Sequence, residues 1–242
     1  MLARLIASVA HPDHVADLSR RRDVDIEVRW FDPQTHDVAT TGRLGNVTHV
    51  LDGRQVPYVA RPYKTILLSG DSHWPMIDGL VPLAQMFDLN SSAMKATLNA
   101  LVETSELVKE VNIAGTRIEW VVNINGQTLR TTGTRDLSRW WGNLILLELA
   151  GVHARYHAHV EPTFLLLDEM LFFIDSKTQV DALDRLEKAA EHAQVAVIST
   201  RPITEARDWT LTTLDSVRLA DSRDPKCSID FEIETKPIEG RQ

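Results

Sequence analysis

Residues 163–175 read TFLLLDEMLFFID. Four consecutive apolar residues, 164–167, run directly into two carboxylates, Asp168 and Glu169, and a third acid, Asp175, follows a second apolar stretch. A strand that is apolar at every position has no solvated face, so it belongs inside a parallel sheet covered by helices. The chain downstream agrees. Residues 179–193 predict an amphipathic helix with Val180, Leu183, Leu186 and Ala190 inward, and QVAVIST (194–200) predicts another apolar strand. Strand, helix, strand is the repeating unit of a parallel α/β sheet. Ligands of such sheets bind beyond the carboxyl ends of the strands. Asp168 and Glu169 are therefore expected where chemistry would occur. In nucleotide hydrolases an acid at this place holds Mg2+ beside the phosphates, and a neighbouring acid can orient or deprotonate a water. A plainer reading stays open: the pair caps a helix or faces solvent, and Asp175 caps the helix that follows.

The remaining pattern organises the chain around this segment. Residues 23–32 alternate as a half-buried strand, and Asp52-Gly53 predicts a hairpin turn. Residues 63–72 predict a strand ending in a glycine loop, followed by helices over 76–87 and 90–111. Strands are expected from Val111, with Ile118, Trp120, Val122 and Ile124 on one face and a tight turn at Asn125-Gly126. Within 135–160 a helix begins at Ser138, its N-cap candidate, with Leu144, Leu147 and Gly151 on one face. We divide the chain into an N-terminal α+β region, 1–90, and an α/β region, 91–242.

Composition narrows the function. The net charge of −8 argues against a generally basic nucleic-acid wrapper. One cysteine, Cys227, permits no internal disulfide and fits a reducing cytoplasm. No apolar run approaches the roughly 18–20 residues that span a bilayer. The start, MLARLIASVAHPDH, reads as a helix or strand rather than a signal peptide.

The segment LLLDEMLFFID resembles the Walker B and D-loop of ABC-type ATPase heads, above all those of the SMC and double-strand-break-repair branch. Asp168, Glu169 and Asp175 have that family's spacing, with Met170 where proline is frequent. DLSRWWGNLILLELA (136–150) is similar to the signature helix: Leu137 and Ser138 match, while Arg139, Trp140 and Trp141 replace small residues and an acid. QVAVISTRP lies where the family has a strand ending in a switch residue, commonly histidine, and Arg201 occupies that place. The resemblance covers residues 110–220 or so. It implies a P-loop-NTPase-like α/β fold, the C-terminal lobe of an SMC-like head, with a partly parallel sheet flanked by helices. It also implies Mg2+ and ATP as cofactors, a homo- or hetero-oligomer of heads, and an ATP-dependent DNA transaction in repair, maintenance or defence. By the same resemblance Asp168 holds Mg2+ and Glu169 orients water. Asp175 lies between two heads, Ser138 reaches the opposite head's nucleotide, and Arg201 stands near the γ-phosphate.

The family also needs a phosphate loop, G-x-x-x-x-G-K-[ST]. None of the lysines follows a glycine; only Lys64 (PYKT) and Lys177 (DSKT) precede threonine, and neither has a glycine loop. The segment TILLSGDSHWPMIDGL (65–80) has the strand-loop-helix order without the lysine. Three explanations are open: a separate polypeptide supplies the missing half, the gene is truncated, or the head is degenerate and binds no ATP. The bulky Arg139-Trp140-Trp141 fits the last, because indole rings obstruct approach to a γ-phosphate. Packing or an interface is the simpler role for the two tryptophans. A rival reading uses histidines. HARYHAH places His153 and His157 one turn apart near His159 and Glu161, while His11, Asp13 and His14, or Asp71 and His73, add further ligands for a metal hydrolase. No complete ligand pattern is present, and solvent-facing histidines are the commoner outcome.

Overall fold

The apolar run before the acid pair is the middle strand of a parallel sheet. A computed structural model describes residues 26–31, 37–43, 45–57, 64–70, 74–132, 137–157, 163–171, 176–199, 203, 210–218 and 229–237. Four antiparallel strands come first: β1 (Ile26–Phe31), β2 (Asp37–Arg43), β3 (Asn46–Leu51) and β4 (Arg54–Val56), paired in sequence order. Asp52 and Gly53, with φ of 49° and 77°, make the expected turn between β3 and β4, since both central residues of this hairpin type need positive φ.

The parallel sheet follows, built from β5 (Lys64–Ser69), β9 (Thr163–Asp168) and β10 (Gln194–Ile198), in the order β10-β9-β5. Between β5 and β9 lie a 3-10 turn (Trp74–Asp78), α1 (Leu80–Met86) and α2 (Ser91–Thr104). Next come the meander β6 (Val108–Ala114), β7 (Arg117–Ile124) and β8 (Gln127–Thr131), then α3 (Arg139–His157). Helix α4 (Ser176–Ala190) makes the crossover from β9 to β10, and β11 (Thr210–Arg218) pairs antiparallel with β12 (Ile229–Pro237). The fold is α/β, with a parallel sheet and packed helices. Residues 64–69, from before position 90, pair directly with 163–168 from after it, and α1 and α2 on either side of Asn90 feed one core.

That core runs through β5, α1, α2, β7, α3, β9 and α4; Leu68, Leu83, Leu98, Trp120, Ile145, Leu167 and Leu186 are at most 2% exposed. The Trp120 Nε1–H donates to the Ile77 carbonyl at 3.0 Å, which fastens β7 to the 3-10 turn. Leu165 and Leu167 face this core, whereas Leu166 faces the other side of the sheet with Leu67, Phe164, Ala196 and Ile198. Both faces of β9 are therefore apolar because both are covered. Among the described residues no helix is long and apolar enough to cross a membrane.

Two local expectations are corrected. Helix α2 stops at Thr104 rather than near 111, and β6 starts at Val108. Ser105 takes an extended backbone (ψ 137°), and its hydroxyl accepts the N–H groups of Leu107 (3.0 Å) and Val108 (2.7 Å), redirecting the chain. The inward stripe of α4 is Ala182, Leu183, Leu186 and Ala189; Val180 is 36% exposed, and Ala190 is exposed too. The small alanines let α4 lie close to its neighbours. Helix α3 goes beyond the one face that the sequence marked: Gly142, Asn143, 145–150 and 152–154 are all buried. A helix apolar nearly all round belongs at the centre of its layer.

Candidate active site at the carboxyl end of the parallel sheet

Register brings the three strand ends level. Asp168 lies opposite Ser69 on β5 and Ile198 on β10. One residue further, the Gly70 N–H donates to the Asp168 carbonyl at 3.0 Å, and the Glu169 N–H donates to the Ile198 carbonyl at 2.9 Å. The chain then turns sharply, with Glu169 at φ 54°. A left-handed conformation costs a non-glycine residue about 1–2 kcal/mol, and here the two flanking strands hold it. Gly70 is the close-approach residue. A Cβ there would sit 2.6 Å from the Glu169 carbonyl oxygen and 3.1 Å from its carbon, so any side chain would push the acid turn aside.

Asp168 and Glu169 are each half-buried, while Met170 and Leu171 are plugged into the core at 0% and 1% exposure. The turn is thus anchored from below, and within it the Glu169 Oε2 is itself buried. From α3, the fully buried Asn143 reaches the same turn, its Nδ2 donating to the Met170 carbonyl at 3.5 Å. Sequence reasoning missed Gly70 and Asn143 as parts of this site. SGDS signals only a loop, and Asn143 lies in an apolar helical stretch whose partner is distant in sequence.

Ser138 is exposed and directly precedes α3, and its carbonyl accepts the Gly142 N–H at 3.2 Å. Along the helix axis it stands about 7.5 Å before Asn143, at 1.5 Å per residue. Asp175 and Arg201 lie outside the described residues, as do the segments 71–73, 172–175 and 200–202 that follow the three strand ends. Trp140 and Trp141 are half-buried, pack against the core, and set their rings 4.4 Å apart at 36°. Their packing role is visible.

The histidine expectation changes. His153 is fully buried instead of solvent-facing, with its ring 4.8 Å from that of His157 and 5.6 Å from Phe87. Burial, with the charges of His157 and Lys64 adding to it, lowers its pKa from 6.5 to about 3, so the ring is neutral near pH 7. The His157 Nε2 lies 3.0 Å from the Thr97 hydroxyl. Among the described residues no group of three or more His, Cys, Asp or Glu is placed to hold a metal. His11, Asp13, His14, Asp71, His73, His159 and Glu161 lie outside them.

Two grooves lie away from the acid pair. One, of about 780 Å3, runs between α2, α3 and α4; the other, of about 330 Å3, lies under the Asn125-Gly126 turn beside Trp141. Neither is lined by Asp168 or Glu169.

No family model matches the chain, and no curated protein matches it. Among solved structures, the chain is similar to an SMC head bound to the C-winged helix domain of ScpA, with TM-score 0.52 and 11% identity, over 95% of this chain and 85% of that one. It is also similar to the SMC head domain from Thermotoga maritima, with TM-score 0.43 and 16% identity, over 86% of this chain and 73% of that one. The first likeness is one of fold. The chain has a mixed α/β fold like that of this SMC head, and the match covers 95% of the chain, well beyond residues 110–220.

Proposed function

We infer that this chain works as an SMC-like ATPase head, or as the half of one that carries the acid pair, coupling Mg-ATP binding and hydrolysis to a DNA transaction. Repair, chromosome maintenance and defence are the contexts that the sequence resemblance implies, in a cytoplasmic complex. The observation that carries this reading is the position of Asp168 and Glu169, half-exposed at the carboxyl end of the middle strand of a parallel sheet.

The donors suit the cofactor. Mg2+ favours one or two carboxylate oxygens, waters and substrate phosphates. Asp168 offers such an oxygen at a strand end whose backbone is fixed by Gly70. Bound there, Mg2+ would supply neutralisation of phosphate charge. Glu169 orients the attacking water and accepts its proton. In the same scheme Ser138 contacts the nucleotide of an opposing head, Asp175 lies between heads, and Arg201 stands near the γ-phosphate. The sequence has no G-x-x-x-x-G-K-[ST] loop, so the phosphates are cradled by another segment or chain. A protein partner accords with the solved head, which carries a ScpA domain.

The test is Mg-dependent ATP turnover by this chain with a partner bearing that loop. Glu169→Gln is expected to lower the rate about 10^2–10^4-fold, the range for a lost general base. An unchanged rate removes the catalytic assignment. The bulky Trp140–Trp141 pair, its rings tilted at 36°, supports a second reading, a degenerate head retained for docking. Titrating the assembled complex with Mg-ATP in a calorimeter separates the two: heat of binding favours the ATPase, and its absence favours the docking module.

A further inference from the structure

We propose that Asn143 is a positioning residue that ties the first turns of α3 to the backbone of the acid turn, so that a shift of the helix start reaches Glu169. The proposal rests on the ATPase reading for the role of Glu169 and deepens it.

The 169–170 segment is gripped from two sides. On the β5 side, Gly70 lies so close to the Glu169 carbonyl that a Cβ would come within 2.6 Å of its oxygen. On the α3 side, the Asn143 amide donates to the Met170 carbonyl. The same Nδ2 would stand 3.1 Å from a Cβ on Gly70, so amide, glycine and acid turn meet at one contact. Between these grips Glu169 holds a left-handed backbone, φ 54°, which needs external support.

Stability alone does not explain the amide. Asn143 is 0% exposed, and its Oδ1 is buried without a partner. An orphaned buried acceptor is a net cost, and one bond of 3.5 Å does not offset it. Leucine would fill the same space in this apolar helix and remove the orphaned amide oxygen, giving up only the long contact to the Met170 carbonyl. What leucine could not supply is a donor to the acid turn. Asn143 sits one turn into α3, just after Trp140 and Trp141, so displacement of that helix start has a direct mechanical route to Glu169.

The test uses the full chain carrying Asn143→Leu, with Asn143→Ser as the smaller alternative. Hydrogen exchange is expected to accelerate at least tenfold at the Glu169 and Gly70 amides, while amides inside β9 keep their protection and the melting temperature holds or rises. With the loop-bearing partner present, kcat is expected to fall about tenfold at unchanged KM for Mg-ATP, in the range for small displacements of catalytic groups. Unchanged exchange at Glu169 and Gly70 in a folded variant overturns the proposal. So does a uniform rise across the sheet, or failure of both variants to fold, either of which marks Asn143 as ordinary core. If Glu169→Gln leaves turnover intact, the ATPase reading fails by itself, and the exchange data still decide whether Asn143 holds the turn.

Discussion

Carboxylates meet two fates in this molecule. At the end of the parallel sheet, Asp168 and Glu169 are half-exposed, and their backbone is held by neighbouring strands. Between α2, α3 and α4, Glu148 is 8% exposed and closed in by side chains: the Ser105 hydroxyl donates to it and Arg185 pairs with it. Ser105 in turn accepts the N–H groups of Leu107 and Val108, so one buried charge fastens the end of α2 to α3 and α4. A charge taken out of water must be satisfied where it sits. Glu148 is therefore spent on architecture. The strand-end acids keep part of their hydration and a rigid main chain, the combination that suits an incoming cation.

The sharpest way to break this contrast is to neutralise one acid of each kind. Glu169→Gln should cost the assembled ATPase about 10^2–10^4-fold in turnover while leaving the melting temperature within a few degrees. Glu148→Ala should do the reverse. The Arg185 side chain is 41% exposed and can return to water, so the expected loss is about 1–3 kcal/mol, the cost of stranding the Ser105 hydroxyl and its neighbours, readable by denaturant unfolding, and Mg-ATP affinity should not change. If Glu148→Ala weakened nucleotide binding as strongly as it weakened folding, the two regions would not be separable.

A third change joins backbone to chemistry. Gly70→Ala forces a Cβ against the Glu169 carbonyl, and overpacking of this kind costs about 1–3 kcal/mol. Turnover should fall along with stability, because the acid turn moves. The same substitution at Gly53, where nothing lies within 4 Å, should leave turnover intact and cost only the strain of its positive φ.

The sequence made the chemistry easier to see than the supports. The run 164–167 announced an interior strand because no residue in it could face water, and Asn125-Gly126 announced a turn because few other pairs accept φ of 51° and 80°. The crossover from β9 through α4 to β10 followed from the same logic. The end of α2 was hidden, since Leu107 and Val108 continue an apolar period and only the Ser105 hydroxyl breaks it. The face of α4 was misjudged because alanine says little about direction, yet Ala182 and Ala189 are what lie inward. Gly70 and Asn143 gain their meaning from β5 and α3 meeting at Glu169, a juxtaposition set by register and packing.

His153 adds a pH-dependent effect, and its sign follows from burial. The folded chain keeps the ring neutral down to about pH 3, whereas the unfolded chain takes up a proton near 6.5. Between those values the unfolded state binds more protons. Stability is therefore complete above pH 6.5 and falls by about 1.4 kcal/mol per pH unit as the solution is acidified. Thermal melts from pH 7 to 4 should show this slope, and His153→Phe should flatten it. Equal slopes in both proteins would mean that the buried ring does not titrate on unfolding.

The central claim is that Asp168 faces the metal of a bound nucleotide. The most direct measurement replaces Mg2+ with Fe2+ in the assembled complex and maps radical cleavage of the backbone with and without ATP. The account expects ATP-dependent cuts at residues 168–170 that vanish in Asp168→Asn. Cuts confined to other segments, or a pattern indifferent to Asp168→Asn, would contradict it.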